Sequence, residues 1–371
     1  MPITRLRVAG YRSLRRCTLD LGQLTVVIGP NGCGKTNLYR AMALLASAAR
    51  GDFARELVSE GGMPSALWAG PRRKGPVRFT LGACSGELEY ELITGLPSSA
   101  NMEPLFPLDP MIKEETIVVR VGERRGEMLT RKNSTIWARD VEGHRVTYPF
   151  GITPWETVLG ELSEPMRFPE ITAVRQELLG WRFYHGFRSD ADSPIRLARV
   201  GTRTPVLSQD GHDLAAALGT ILGRDPRPLL QAIEDAFPGA TLNLTPEGES
   251  RLALSLQEPG LSRPLTAAEL SDGTLRYLCL LAALLSSRPP ALLALNEPET
   301  SIHPRLIEPL GRLILSAAER SQVWITTHSE ALAAQLARAT GVDPIRLEKV
   351  GGETRLVRPP EDDWEPEEAE E

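Results

Sequence analysis

TVVIGPNGCGKT, Thr25 to Thr36, is the stretch whose reading decides the fold. Thr25 to Ile28 is a short apolar strand, and the apolar spacing after Thr36 predicts a helix to about Ala49. Between them Gly29 to Thr36 fits G-x-x-x-x-G-K-[ST], in the strand–loop–helix setting that gives this pattern its meaning. Glycines let the backbone wrap closely around phosphates, so the N–H groups of Gly32, Gly34 and Lys35 are expected to point at phosphate oxygens. The helix start adds a favourable dipole of ~0.3–1 kcal/mol at exposed sites. Lys35 is the candidate for the β- and γ-phosphates, and the Thr36 hydroxyl for Mg²⁺. Pro30, Asn31, Cys33 and Asn37 complete the candidate nucleotide-binding stretch.

Three further motifs lie downstream. ALLALNEPETSIHP, Ala291 to Pro304, is an apolar strand that ends in Asn296 and Glu297. In a sheet built around such a loop, a neighbouring strand delivers an acidic residue to the Mg²⁺ shell, and the next residue is placed to activate water. Asn296 and Glu297 are the candidates for these roles, against the plainer reading of a polar turn. ELSDGT, Glu269 to Thr274, precedes a leucine-rich helix. Ser271 is there either a simple helix N-cap or, since both satisfy free helical N–H groups, an anion contact. In VWITTHSEAL, His328 directly follows an apolar strand and is a candidate γ-phosphate contact.

Around these motifs, apolar strands alternate with helices from Thr274 to Ala339, which argues for a two-sided, largely parallel sheet in an α/β fold. In Glu87 to Thr94, Leu88, Tyr90 and Leu92 alternate with Glu87, Glu89 and Glu91, the mark of a sheet with one wet face. A Pro-rich stretch from 97 to about 115 reads as a linker into an insertion. There Thr116 to Val121 and Arg145 to Tyr148 read as strands, RVGERRGEM as a turn, and 152 to 182 as helical. The hairpin IRLEKVGGETRLV closes the fold. The organisation expected is 1–100 and 201–360 as two parts of one domain, 101–200 as an inserted region, and 361–371 as an acidic, disordered tail.

That tail holds eight acidic residues and no basic one, and the rest of the chain carries 42 basic against 40 acidic residues, so the overall charge of −6 comes from its end. The longest apolar run, Tyr277 to Leu285, has nine residues, where a bilayer span needs about 20. With no apolar leader and no paired cysteine motif, a cytoplasmic protein with four reduced thiols is expected.

The order GPNGCGKT, LSDGT, LNEPETSIHP, ITTHS resembles the ABC-type heads of SMC proteins, RecF-like recombination ATPases and OLD-family ATPases. It is most similar to stand-alone bacterial ATPases labelled AAA-family or AbiEii-toxin-like. The resemblance covers 1–95 and about 200–350. It implies a P-loop ATPase head with a largely parallel central sheet, an N-terminal antiparallel β-subdomain and an inserted α+β region. It also makes Gly29 to Thr36 the Walker A loop, Leu270 to Thr274 the signature, Asn296 and Glu297 the end of Walker B, Pro298 to Ser301 the D-loop and His328 the switch histidine. The opening strand implies that Arg12 and Ser13 approach the nucleotide. No Q-loop glutamine can be placed.

The implied activity is slow ATP hydrolysis with Mg²⁺, by a homodimer that closes around two ATP molecules. Each site takes Lys35, Thr36, Glu297 and His328 from one chain, and Ser271 and Gly273 from the other. Asn296 departs from the family's Asp, which leaves a non-hydrolysing scaffold or sensor open. There are no heptads for coiled-coil arms, and no Toprim domain fits in the roughly twenty residues after the last hairpin. The implied partner is a nuclease or toxin effector, in DNA repair or phage defence, without a membrane. DNA is a further candidate, because Arg120, Arg124, Arg125, Arg131, Lys132, Arg139 and Arg145 outnumber four acidic residues between Thr116 and Thr147; solvated strand edges are the plainer account.

Overall fold

The computed structural model describes residues 2–71, 77–97, 105–147 and 151–358. In chain order the first elements are β1 (Ile3–Tyr11), β2 (Leu14–Asp20), β3 (Leu24–Ile28), α1 (Lys35–Arg50), α2 (Phe53–Ser59) and α3 (Gly62–Ala66). Then come β4 (Arg78–Ser85), β5 (Leu88–Gly95), β6 (Met111–Val121), β7 (Arg124–Lys132), β8 (Thr135–Arg139), β9 (Arg145–Thr147), α4 (Val158–Glu161) and α5 (Pro169–Leu179). β10 (Trp181–Tyr184), β11 (Arg199–Val200), α6 (Leu214–Arg224), α7 (Arg227–Ala236), β12 (Thr241–Glu247), β13 (Arg251–Gln257) and β14 (Leu265–Thr266) follow. The chain continues through α8 (Asp272–Leu284), β15 (Leu292–Asn296), α9 (Ile307–Ala318), β16 (Gln322–Thr327), α10 (Glu330–Thr340), β17 (Ile345–Val350) and β18 (Glu353–Leu356). It forms two units: Met1–Gly22, Gly29–Trp181 and the chain from Ile345 on make the first, Gln23–Ile28 and Arg182–Pro344 the second.

The first unit is built on an antiparallel sheet in the order β2-β1-β4-β5-β6-β7-β8-β9. The alternation read in β5 is real: Leu88, Tyr90 and Leu92 are buried, while Glu89 and Glu91 are not. The stretch read as a linker to about 115 is strand from Met111 on, and β6 extends this same sheet, paired along β5 from Leu88↔Val119 to Gly95↔Met111. RVGERRGEM is only partly a turn. The reversal is confined to Gly122 and Glu123, and Arg124 onward is strand, paired Val121↔Arg124 and Arg120↔Arg125. β7 shows no alternation because it is exposed over most of its first half; its pairing comes from its neighbour. Tyr148 and the acidic 361–371 stretch lie outside the described residues.

α1 buries Leu38, Met42, Leu45 and Ala49, spaced three and four apart, and its last turns from Leu44 to Ala49 are buried all round. It ends at Gly51, whose left-handed φ of 78° lets its N–H cap the carbonyls of Ser47 and Ala48. Among the basic residues of 116–147, Arg131 is buried and donates to the carbonyls of Asn133, Thr153 and Glu156. Arg145 lies over the Trp137 ring at 4.1 Å. Arg139 donates to the carbonyls of Gly143 at 3.0 Å and Glu127 at 3.3 Å, and Arg120 pairs with the Glu89 carboxylate at 2.6 Å, so at least four of the seven cations are engaged within the fold.

The second unit holds strands in the order β10-β15-β16-β3, with β15, β16 and β3 parallel. Every residue of β3, β15 and β16 is buried, as expected where helices cover both faces of a sheet. The core continues through Leu275, Leu278 and Leu281 of α8, Leu310 and Ile314 of α9, and Leu332 and Leu336 of α10. A smaller antiparallel sheet, β11-β13-β12 with β14 on β13, belongs to the same unit. Asn296 pairs with Thr326, Thr326 with Val27 and Thr327 with Ile28, so three parallel strands end level at their C-termini. At Ile28 the chain passes directly into Gly29. No helix among the described residues is long and apolar enough to cross a membrane.

Candidate functional site

The glycines of the Gly29–Thr36 loop differ in why they are glycine. A Cβ on Gly29 would lie 2.6 Å from the Leu347 carbonyl oxygen and 2.7 Å from the Cys33 sulfur, so that position has no room. Gly32 has a φ of 79° and open space around it, so only its conformation requires glycine. Gly34 has both constraints. Its φ is 110°, and a Cβ would sit 2.0 Å from the Thr354 hydroxyl. Gly34 is also the N-cap of α1, and its carbonyl accepts from the N–H groups of Asn37 and Leu38.

Lys35 is buried, and its Nζ donates to the carbonyls of Gly29 at 2.6 Å and Pro30 at 3.3 Å. The ammonium therefore lies folded across the mouth of its own loop. Pro30, Asn31 and Gly32 are exposed and Thr36 is half-buried. These features fit a triphosphate: a loop held open by glycine, an exposed rim, a cation across it and a helix start beneath. Of the two residues singled out on the opening strand, Ser13 reaches the loop, accepting from the Asn37 amide at 2.7 Å. Arg12 turns to Glu60 instead, with 3.0 Å to its carboxylate and 3.1 Å to its carbonyl, and holds a left-handed φ of 49°.

At the end of β15, Asn296 is buried. Its Oδ1 accepts from the Thr326 hydroxyl at 2.6 Å, and its Nδ2 lies 2.6 Å from His185 Nδ1. The amide donating to Nδ1 makes His185 the tautomer with its proton on Nε2. Oδ1 keeps one lone pair, so a cation could be met directly or through water, with dipole strength rather than full charge. Glu297 then takes a left-handed φ of 50°, a conformation a non-glycine residue adopts only where its surroundings demand it. Its N–H donates to the Thr326 carbonyl at 2.8 Å, and its carboxylate remains part-exposed, 3.9 Å from His328 Nδ1.

Glu299 holds this turn together. Its Oε1 accepts from the Thr327 hydroxyl at 2.6 Å and from the N–H groups of His328 at 2.9 Å and Ser329 at 3.3 Å. His328 Nδ1 lies 3.2 Å from the same oxygen. The carboxylate thus ties down the backbone leading into α10, which Ser329 caps, and holds the histidine ring beside it. Beside Asn296 and Glu297 is a hollow of about 240 Å³, walled also by His185, Arg276 and Thr300.

Ser271 is the N-cap of α8, its hydroxyl accepting from the Thr274 N–H at 3.1 Å. The turn before it is set by Glu269, which binds Arg263 and the N–H and hydroxyl of Thr266. The Arg263 hydrogen bond, aided by Thr266, holds the Glu269 carboxyl at about 2, so it stays ionised throughout the neutral range. Arg196 pairs with Asp272 and donates to the Leu270 carbonyl at 2.8 Å. A Cβ on Gly273 would meet the Ser301 carbonyl at 2.8 Å, so LSDGT and the turn after β15 are close-packed.

Residues 24–334 match the family described as "AAA domain, putative AbiEii toxin, Type IV TA system". The chain belongs to that family. A 43-residue stretch is 46% identical to the OLD nuclease of Thermus scotoductus (strain ATCC 700910 / SA-01), spanning 12% of this chain and 8% of that protein. Among solved structures, an SMC head bound to the C-winged helix domain of ScpA is similar over 96% of this chain and 98% of that one, with a TM-score of 0.56 and 14% identity. An SMC head with an extended coiled coil, bound to the C-terminal domain of ScpA from Pyrococcus furiosus, is similar over 96% of each chain, with a TM-score of 0.53 and 13% identity. At such identities the likeness is one of fold: this AAA-domain protein is an SMC/OLD-like P-loop ATPase in architecture.

Three residues of this AAA-domain chain escaped the sequence reading. Thr354 lies in the closing hairpin, far from any motif. Glu299 sits inside one, in the stretch the resemblance makes the D-loop, and carries no role of its own there. His185 was legible in principle, because WRFYH repeats the strand-then-histidine pattern that singled out His328.

Proposed function

We propose that this chain is a slowly hydrolysing ATPase that dimerises head to tail around two ATP molecules and acts as a switch for a partner. In this reading Lys35 and the loop N–H groups hold the phosphates. Thr36 and Asn296 serve Mg²⁺, which supplies charge neutralisation when bound. Glu297 orients and deprotonates water, and His328, steadied by Glu299, meets the γ-phosphate. Ser271 and Gly273 serve the nucleotide of the second chain. The observation that carries it is the left-handed turn at Glu297, which leaves a carboxylate part-exposed beside His328 at the end of a buried strand. Glu297→Gln is expected to keep ATP binding and to lower turnover by roughly 10²- to 10⁴-fold, the usual weight of a general base. Gel filtration of that variant is expected to show an ATP-dependent doubling of mass. Equal rates in both proteins would remove Glu297 as the base, and an unchanged mass would count against the dimer.

Asn296 supports a second reading, a sensor that binds ATP to hold a partner and hydrolyses little. Both ends of its side chain are engaged by Thr326 and His185, and it brings no charge to the cation. DNA is a further partner to test, and so is a nuclease or toxin effector, in repair or defence. The exposed cations Arg124, Arg125 and Lys132 could meet phosphates, and such contacts would give affinity that falls steeply with salt.

A further inference from the structure

We infer that Thr354, on the closing hairpin, is a positioning residue that aims the Cys33–Gly34 peptide of the phosphate-binding loop. The inference rests on the reading of Gly29–Thr36 as that loop.

Thr354 is fully buried in β18. Its hydroxyl donates to the Cys33 carbonyl at 2.6 Å, across 321 residues of sequence. Having given its only proton there, it can only accept from Ser13, whose hydroxyl lies 2.7 Å away. Ser13 in turn accepts from the Asn37 amide at 2.7 Å. The hydrogen bonds therefore run one way, from Asn37 through Ser13 and Thr354 to the Cys33 carbonyl. A backbone bond from the Thr354 N–H to the Ser13 carbonyl, 2.8 Å, fixes the strand that carries the hydroxyl.

The consequence follows from peptide geometry. In a planar trans peptide the C=O and the N–H point in opposite directions. Pinning the Cys33 carbonyl toward Thr354 therefore aims the Gly34 N–H the other way. Gly34 is one of the donors expected to face phosphate, at the start of α1. The fit is mutual, since Thr354 occupies the space a Cβ at residue 34 would need. Without the threonine hydroxyl, the Cys33 carbonyl is left buried and unpaired, and a flip of this peptide would turn a donor into an acceptor facing the phosphates.

The test compares Thr354→Val, which keeps shape and loses the hydroxyl, with Thr354→Ser, which keeps the hydroxyl. ATP, ADP and adenosine are titrated by calorimetry, and the nucleotide-free proteins are melted alongside. Thr354→Val is expected to bind ATP and ADP about tenfold more weakly, roughly one misdirected hydrogen bond to a charged group. Thr354→Ser is expected to stay within about twofold of wild type, and adenosine, which has no phosphate, to be unaffected in both. Ser13→Ala, which cuts the same relay one link earlier, is expected to reproduce part of the loss, and it carries the test if the valine variant does not fold. Wild-type affinity for ATP in folded Thr354→Val or Ser13→Ala overturns the inference, as does a Thr354→Ser that is folded but as weak as valine. A wild-type chain that binds no ATP overturns the phosphate-loop reading itself, and this inference with it.

Discussion

Two loops in this protein open helices beside backbone that has no room for a side chain, and they differ in how their side chains are held. The loop before α1 is braced from outside, by Ser13 from the turn after β1 and Thr354 from the closing hairpin, and its lysine is folded inward and buried. The loop before α8 has one distant brace, Arg196, which donates to the Leu270 carbonyl at 2.8 Å and pairs with Asp272, and its other bonds are local. Ser271 caps its own helix, Glu269 binds the nearby Arg263 and Thr266, and both Ser271 and Asp272 stay exposed. Under the proposed function the first arrangement would preform a cradle for phosphate, because the cost of ordering its backbone is met on folding rather than on binding. The second presents a capped helix start outward, where a second molecule can reach it.

Several substitutions would break or sharpen this contrast. The largest effect is expected from Gly34→Ala, which combines a forbidden φ with a collision against Thr354. It should cost about 2–4 kcal/mol in unfolding free energy and abolish nucleotide binding. Gly273→Ala, which has no left-handed φ and meets one carbonyl, should cost less, and equal losses in denaturant melts would erase the distinction drawn here. Next in size, Lys35→Ala is expected to weaken ATP binding by about 10- to 100-fold, the range for hydrogen bonds to a charged group. Its thermal stability without nucleotide should change little, measured by calorimetry.

Ser271→Ala should act through the helix cap alone in the isolated chain, costing about 1 kcal/mol while leaving the ATP affinity of a single chain unchanged. If ATP affinity falls in a monomer, the two loops are not independent as described. The smallest effect is expected for Asn296→Asp, which restores a charge beside Thr326 and His185. Mg²⁺ titrations with ATP present should show tightening of about two- to fivefold, limited by retained waters in the cation's shell. A loss of Mg²⁺ affinity would mean that His185 is arranged for the amide specifically.

How much was legible depended on where each signal lies along the chain. The glycine-rich loop, the apolar strands β3, β15 and β16, and the helices between them could be read because each is a local pattern with its own period. Glu297 and His328 were legible as polar residues at the ends of such strands. β7 was not, because a charged, half-exposed strand has no periodicity until a neighbour supplies its hydrogen bonds. Arg131 looked like part of a basic surface, and only packing shows it buried against three carbonyls.

By itself, then, the sequence determined the order of elements and the residue types at the ends of the parallel strands, because steric and hydrophobic periodicities act over a few residues. Tertiary structure alone decided which side chains hold those ends in place. Thr354 meets Cys33, His185 meets Asn296, and Glu299 gathers three donors from Thr327 to Ser329, at the end of β16. A buried hydroxyl, amide or carboxylate must find a partner wherever the chain brings one, and the first two of these partners lie 321 and 111 residues away.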